Sequence, residues 1–183
     1  MKLFNIFKRS LGERQKDSNN WNEGYEAFNK GKQYFYNKQN EEALELFDKA
    51  IEYGFDIMVY GLRATCLQAL GYDLDAIDDY NKAIESTSKD CNLYFQRALS
   101  KSNCGDREGS INDFKEAIKL SKTDNDLNRN YLKGVKEMNW HSHTEMYEQF
   151  LNIELMKQET ELNLKKLGKS ETRLKLENKR RKL

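Results

Sequence analysis

The sequence predicts an all-α fold, a solenoid of stacked antiparallel helix pairs. Three observations predict it. Small and aromatic residues recur at intervals of 33 or 34 positions. Proline is absent, so no ring removes a helical N–H or clashes with the preceding turn. The repeating segments are rich in Ala, Leu, Glu, Lys and Gln, which favour helix. A period of this length marks repeat architectures, in which no unit buries its apolar stripe alone and neighbours stack to share it.

Three segments align: Ala27 to Tyr53, Tyr60 to Ser86 and Tyr94 to Leu120. Gly31, Ala64 and Ala98 are the small residues at which the first helix of each pair approaches the second. Ala43, Ala76 and Ser110 face them, and Phe47, Tyr80 and Phe114 follow one turn later on the same face. Ala50, Ala83 and Ala117 then meet the next pair. Gly54, Gly71 and Gly105 stand where helices should stop. Asn40, Asp73 and Asp106 are placed to cap second helices, and Asp56 and Asp90 to cap the first helices that follow.

Beyond the repeats, Asp124 to Asn139 reads as a helix with Leu127, Tyr131, Val135 and Met138 on one face. Ser142 with Glu145 fits a capping box opening a long helix to about Gly168. This pair lacks the small-residue register and reads as a degenerate fourth unit or cap, because a terminal unit turns one side to water. The expected organisation is a basic, flexible segment at 1–20, three repeats across 21–123 (about 24–56, 57–90 and 91–124), a capping helix pair at 124–168 and a basic tail at 169–183.

The net charge of +1 hides an asymmetry. Residues 1–16 carry five basic groups and one acidic, and residues 165–183 nine and two; the body between holds 17 basic and 27 acidic. Such basic ends suit contact with nucleic acid or an anionic membrane surface, or simply a solvated helix end. Cys66, Cys91 and Cys104 form no CxxC pair and leave one over, which fits a reducing, cytoplasmic setting. No stretch approaches the ~20 apolar residues of a membrane span.

The small–Ala–aromatic–Ala register, together with GxxxxAIxDYxKAI at 71–84 and GDxxxSIxDFxEAI at 105–118, resembles the tetratricopeptide repeat (TPR) family across about residues 22–123. The resemblance implies a right-handed α-solenoid: three TPR units plus the degenerate capping pair. The chain departs from the pattern in places. Phe55, Ser88 and Lys122 replace the proline that closes each repeat, Lys38 replaces an inter-helix glycine, and Lys101 replaces a large apolar residue.

In the resembled family the first helices line a concave face. Carried over, that face holds Tyr25, Phe28, Lys32, Phe35 and Tyr36 from the first repeat. The second gives Met58, Gly61, Leu62, Thr65, Gln68 and Ala69, and the third Asn92, Phe95, Gln96, Leu99, Ser102 and Asn103. Exposed aromatics at the N-terminal end of such a trough suit an extended peptide or an amphipathic helix. Some relatives grip a C-terminal carboxylate of chaperones with Lys, Asn and Arg. Here those positions hold Phe28, Lys32, Leu62, Asn92 and Gln96, so no carboxylate clamp is expected.

Motifs for chemistry are weak. Gly168-Lys169-Ser170 lacks the earlier glycine and preceding strand of a phosphate loop. His141 and His143 flank a predicted turn without ligand-spaced Cys or carboxylate partners. Asp78-Asp79 and Glu41-Glu42 read as solvated helix surface. The sequence therefore predicts no catalytic residue, metal or cofactor. The expected function is a protein–protein interaction adaptor whose partner is another protein or peptide. The alternatives are association through the basic termini, a small chaperone for a secreted or partner protein, and self-association.

Overall fold

The computed structural model describes residues 20–56, 58–123 and 143–180, with side chains through residue 168. Among these residues there are seven helices and no strand. They are α1 (20–36), α2 (Asn40–Glu52), α3 (Val59–Ala69), α4 (Asp73–Ser86), α5 (Cys91–Asn103), α6 (Arg107–Thr123) and α7 (His143–Arg180). The helix expected over 124–139, the segment 1–19 and the opening Ser142 lie outside the described residues.

The repeat register is the core. Ala43, Ala76 and Ser110 are fully buried, as are Ala64, Ala98, Phe47 and Tyr80. Gly31 marks the closest approach: a Cβ there would stand 2.8 Å from the Phe47 ring. The apolar clusters run across unit boundaries. One joins Ala27, Phe28, Phe47 and Ala50 to Val59 and Cys66 of the next unit. A second joins Ala64, Ala76 and Tyr80 to Leu93. The third joins Phe95, Phe114 and Ala117 to Met146 and Tyr147 of α7. Each unit buries its stripe against its neighbour, the physical basis of a solenoid.

The turns repeat as well. Gly71 (φ 85°) and Gly105 (φ 82°) are left-handed, and Tyr72 N and Asp106 N donate back to Leu67 O and Lys101 O at 2.8 and 2.9 Å. Lys38 holds the same conformation at φ 61°, with Gln39 N donating to Tyr34 O at 3.0 Å. The geometry survives without glycine, at a steric cost.

The capping expectations are corrected in part. Asp90 accepts from Asn92 N and Asp106 from Gly109 N, both at 2.9 Å. Asn40 and Asp73 instead lie inside their helices, because the tight turns start α2 and α4 one residue early, after Gln39 and Tyr72. Asp73 and Asp75 then sit in the first turn, where they oppose the positive end of the helix dipole. At Asp56 it is the backbone oxygen that receives Val59 N, at 3.1 Å.

Helix α7 runs antiparallel to α6. Ser121 Oγ meets Thr144 Oγ1 at 2.8 Å near one end, and Arg107 pairs with Glu154 and Glu161 toward the other. Tyr147 is fully buried and stacks on Phe95 with centroids 4.5 Å apart. α7 therefore seals the apolar side of the third pair and continues to Arg180.

Candidate functional site: the concave groove

The first helices α1, α3 and α5 stand side by side, and a cavity of about 430 Å³ opens between them. Phe28 and Lys32 come from α1, and Gly61, Leu62 and Thr65 from α3, with Met58 just before it. Asn92, Leu93 and Gln96 come from α5. The gap left by Gly61 lets the cavity reach Tyr80 and Ala83 of α4 behind. A Cβ on residue 61 would meet Leu93 Cδ2 at 3.2 Å. Asp56 and Asp90 also line the opening, and Lys32 is the sole cation among the lining residues.

Eight of the residues carried over by resemblance thus meet in one cavity: Phe28, Lys32, Met58, Gly61, Leu62, Thr65, Asn92 and Gln96. Met58 and Asn92 are exposed, whereas Phe28 is 2% exposed and packs on Phe47 and Phe55. Lys32 Nζ lies 4.7 Å above the Phe28 ring. The other residues go elsewhere. Tyr25 stacks on Trp21 and edges Phe55. Phe35 is half-buried against the first cluster, and Tyr36 is exposed beside it. The expected cluster of four exposed aromatics is therefore not present: Phe28 turns inward onto Phe47 and Phe55, and Phe35 packs half-buried against the same cluster.

On the second and third units the polar positions are tied into the fold. Gln68 Nε2 donates to Gln96 O at 3.0 Å and to Ser100 Oγ at 2.8 Å, bridging α3 and α5. Thr65 Oγ1 lies 3.2 Å from Tyr80 Oη, whose pKa burial pushes up. Phe95 and Leu99 belong to the cluster beneath α7. Ser102 Oγ donates to Glu154 at 2.8 Å, and Asn103 Nδ2 to Asp73 at 3.2 Å. Ala69 is exposed at the end of α3. The trough is thus open at its first and second units and filled by α7 at its third.

The sequence reading overlooked the second-helix residues behind Gly61, Tyr80 and Ala83, since it assigned only first helices to the face. By the sequence, Asp79 belongs to a solvated helix surface. Asp79 is 2% exposed, held by Arg63 from α3. The recurrence of Arg63 and Asp79 as Arg97 and Asp113, both 34 residues on, was the sequence signal for it. Lys101 likewise reaches Asp113 at 2.8 Å, which accounts for a cation in an apolar register.

Chemistry finds little support in the groove. Burial pushes the Cys66 thiol up to about 11, so it is a packed thiol and not a nucleophile. Among the described residues no group of three or more His, Cys, Asp or Glu is arranged to hold a metal ion. None of the described helices is long and apolar enough to cross a membrane.

Fold and trough together define a helical-repeat solenoid with a concave face. Residues 92–124 match the family model described as Tetratricopeptide repeat, and the chain carries the tetratricopeptide-repeat fold. Solved structures agree. A type III secretion (T3SS) complex from Aeromonas hydrophila is similar with TM-score 0.62 and 18% identity, over 74% of this chain and 83% of that one. The Sgt2 TPR domain from Aspergillus fumigatus gives 0.57 and 17%, over 77% and 82%. The TPR2B domain of yeast Sti1, in complex with pHsp70, gives 0.56 and 22%, over 74% and 98%. No curated protein matches the chain in sequence.

Proposed function

We propose that this protein is an interaction adaptor that binds a peptide or helix of a partner protein in the concave groove, and that it does so without catalysis. The observation that carries the reading is the cavity between α1, α3 and α5, whose floor is apolar and whose rim offers Lys32, Asn92, Gln96, Asp56 and Asp90. Apolar pockets with a few convergent polar groups are the usual form of a recognition site. The similar TPR2B domain was solved with pHsp70 bound, which supports a protein or peptide ligand for this fold.

The ligand is not a chaperone carboxylate. Phe28, Leu62, Asn92 and Gln96 bring no charge to the positions a clamp uses, and Lys32 rests over an aromatic ring. A single cation so placed lacks the multiple donors that a carboxylate needs when it is desolvated. Cys66, Cys91 and Cys104 form no disulfide, which supports a cytoplasmic setting.

The test is affinity capture from native cells with wild-type protein and a Leu62→Glu variant. Leu62 is partly exposed in the groove and also packs against the edge of the first cluster, so the thermal midpoint of the variant is measured beside the capture. A partner held by wild type and lost by the variant supports the reading; capture that ignores the variant overturns it. Binding of an acidic chaperone tail peptide above background removes the no-clamp assignment.

A further inference from the structure

Helix α7 spans 38 residues, and the contacts it makes with α5 and α6 fall in its first half. Tyr147, Phe150 and Glu154 face the body, and Glu161 makes the last contact with it, through Arg107. The backbone helix nevertheless continues to Arg180. In proteins most helical stability comes from packing an apolar face and not from propensity alone.

A second face of α7 is apolar. Ile153, Met156, Leu164 and Leu167 are 49%, 69%, 61% and 62% exposed. At 100° per residue they fall in one narrow stripe with Thr160 between them, about a third of a turn away from the body-facing side. A trough of about 500 Å³ runs beside this stripe, lined by Arg107, Ile153, Met156 and Thr160. Charge is divided along the same helix. Residues 143–161 carry five acidic groups and one basic, and residues 162–180 seven basic and two acidic. The helix dipole favours this order only within the first and last turns, so it does not account for a division along the whole length.

We propose that α7 pairs with α7 of a second copy, antiparallel, along the Ile153–Met156–Leu164–Leu167 stripe. Antiparallel pairing lays the basic half of each helix on the acidic half of the other. A parallel pair would set like charges against each other. Leu164 and Leu167 of both copies meet near the two-fold axis, and each trough receives the partner helix. Such a dimer leaves both concave grooves open and presents two binding sites on one particle, so a multivalent partner binds more tightly than one site allows.

Sedimentation equilibrium on the full chain tests it. Wild type is expected at the mass of two 21.6 kDa chains, with association weakening about tenfold or more between about 50 and 500 mM salt. Leu164→Lys/Leu167→Lys is expected to be monomeric with an unchanged thermal midpoint for the body, since both side chains are exposed. Its helical signal at 222 nm falls as the overhang loses its partner. A wild-type chain that stays monomeric up to about 100 μM, a variant that still dimerises, or a dimer that tightens with salt overturns the proposal.

Discussion

Arg63 grips Asp79 with two parallel hydrogen bonds, Nε to Oδ2 at 2.6 Å and Nη2 to Oδ1 at 2.8 Å. The fork recurs 34 residues on, where Arg97 holds Asp113 at 2.8 and 2.7 Å. Each arginine also reaches back one unit, Arg63 to Asp48 at 2.6 Å and Arg97 to Asn81 at 2.7 Å. Each lies against the tyrosine three residues before it, Tyr60 and Tyr94. One side chain therefore ties a first helix to its own second helix and to that of the preceding unit. Planar guanidinium suits this double grip, and lysine does not.

Asp79→Ala leaves Arg63 part-buried with only Asp48. The expected loss is about 3 kcal/mol in urea unfolding, at the lower end for breaking a buried pair because Arg63 stays partly exposed. A double-mutant cycle with Arg63→Met should return a coupling of about 1–3 kcal/mol. Additive single losses would mean that packing, not the fork, holds the units together.

Ser110 occupies the register of Ala43 and Ala76, fully buried, and its hydroxyl has no hydrogen-bond partner. Ser110→Ala removes an uncompensated polar group and should raise stability by about 1 kcal/mol. A fall in the urea midpoint would show that the hydroxyl is satisfied.

Lys38 adopts the left-handed conformation that glycine holds at Gly71 and Gly105. Lys38→Gly should stabilise the protein by about 0.5–1 kcal/mol, the steric relief being partly offset by the freer unfolded chain. Lys38→Ala, which keeps the Cβ, should not. Equal midpoints for the glycine and alanine variants would count against a strained turn.

The attachment of α7 should fail in acid. Burial pushes Glu154 up, but the hydrogen bonds from Arg107, Ser102 and Lys157 outweigh it and hold the carboxyl below its ordinary value. A carboxyl so depressed contributes stability that is complete above its unfolded value of about 4.5 and is lost as pH falls through the lower folded value. Burial also lowers His143. Its contribution is complete above about 6.5 and declines as pH falls below that. Thermal midpoints should therefore drop in two stages on acidification, with Glu154→Gln removing the lower one. A midpoint flat from pH 7 to 3 would contradict both assignments.

Phe28 and Phe35 illustrate how tests of the groove must be chosen. Phe28→Ala should cost about 3–5 kcal/mol, because the ring packs on Phe47 and Phe55. Loss of binding in that variant would report unfolding. Leu62→Glu should cost less, about 1–2 kcal/mol, because its side chain is only partly buried against the first cluster, and circular dichroism melts separate the two cases.

The small residues at 43, 76 and 110 and the aromatics four positions on were enough to place the helices and their stacking. Their period is a local property of the chain, written in residue size, and packing then follows it. Asn40 and Asp73 stand one residue inside the capping positions the sequence predicts, since turn geometry is set by backbone bonds such as Tyr72 N to Leu67 O.

The sequence by itself determined the repeat, because stripes of apolar and small residues at helical spacing have one economical way to be buried. Tertiary structure alone decided which of those residues stay open to a partner. Phe28 and Phe95 share the resemblance with Leu62, yet the first two are buried in a core and the third stays partly exposed where it lines the groove. The difference lies in what stands across from each: the α2–α3 junction for Phe28, α7 for Phe95, and the cavity for Leu62. Distant segments supply those neighbours, and no local pattern around any of the three encodes them.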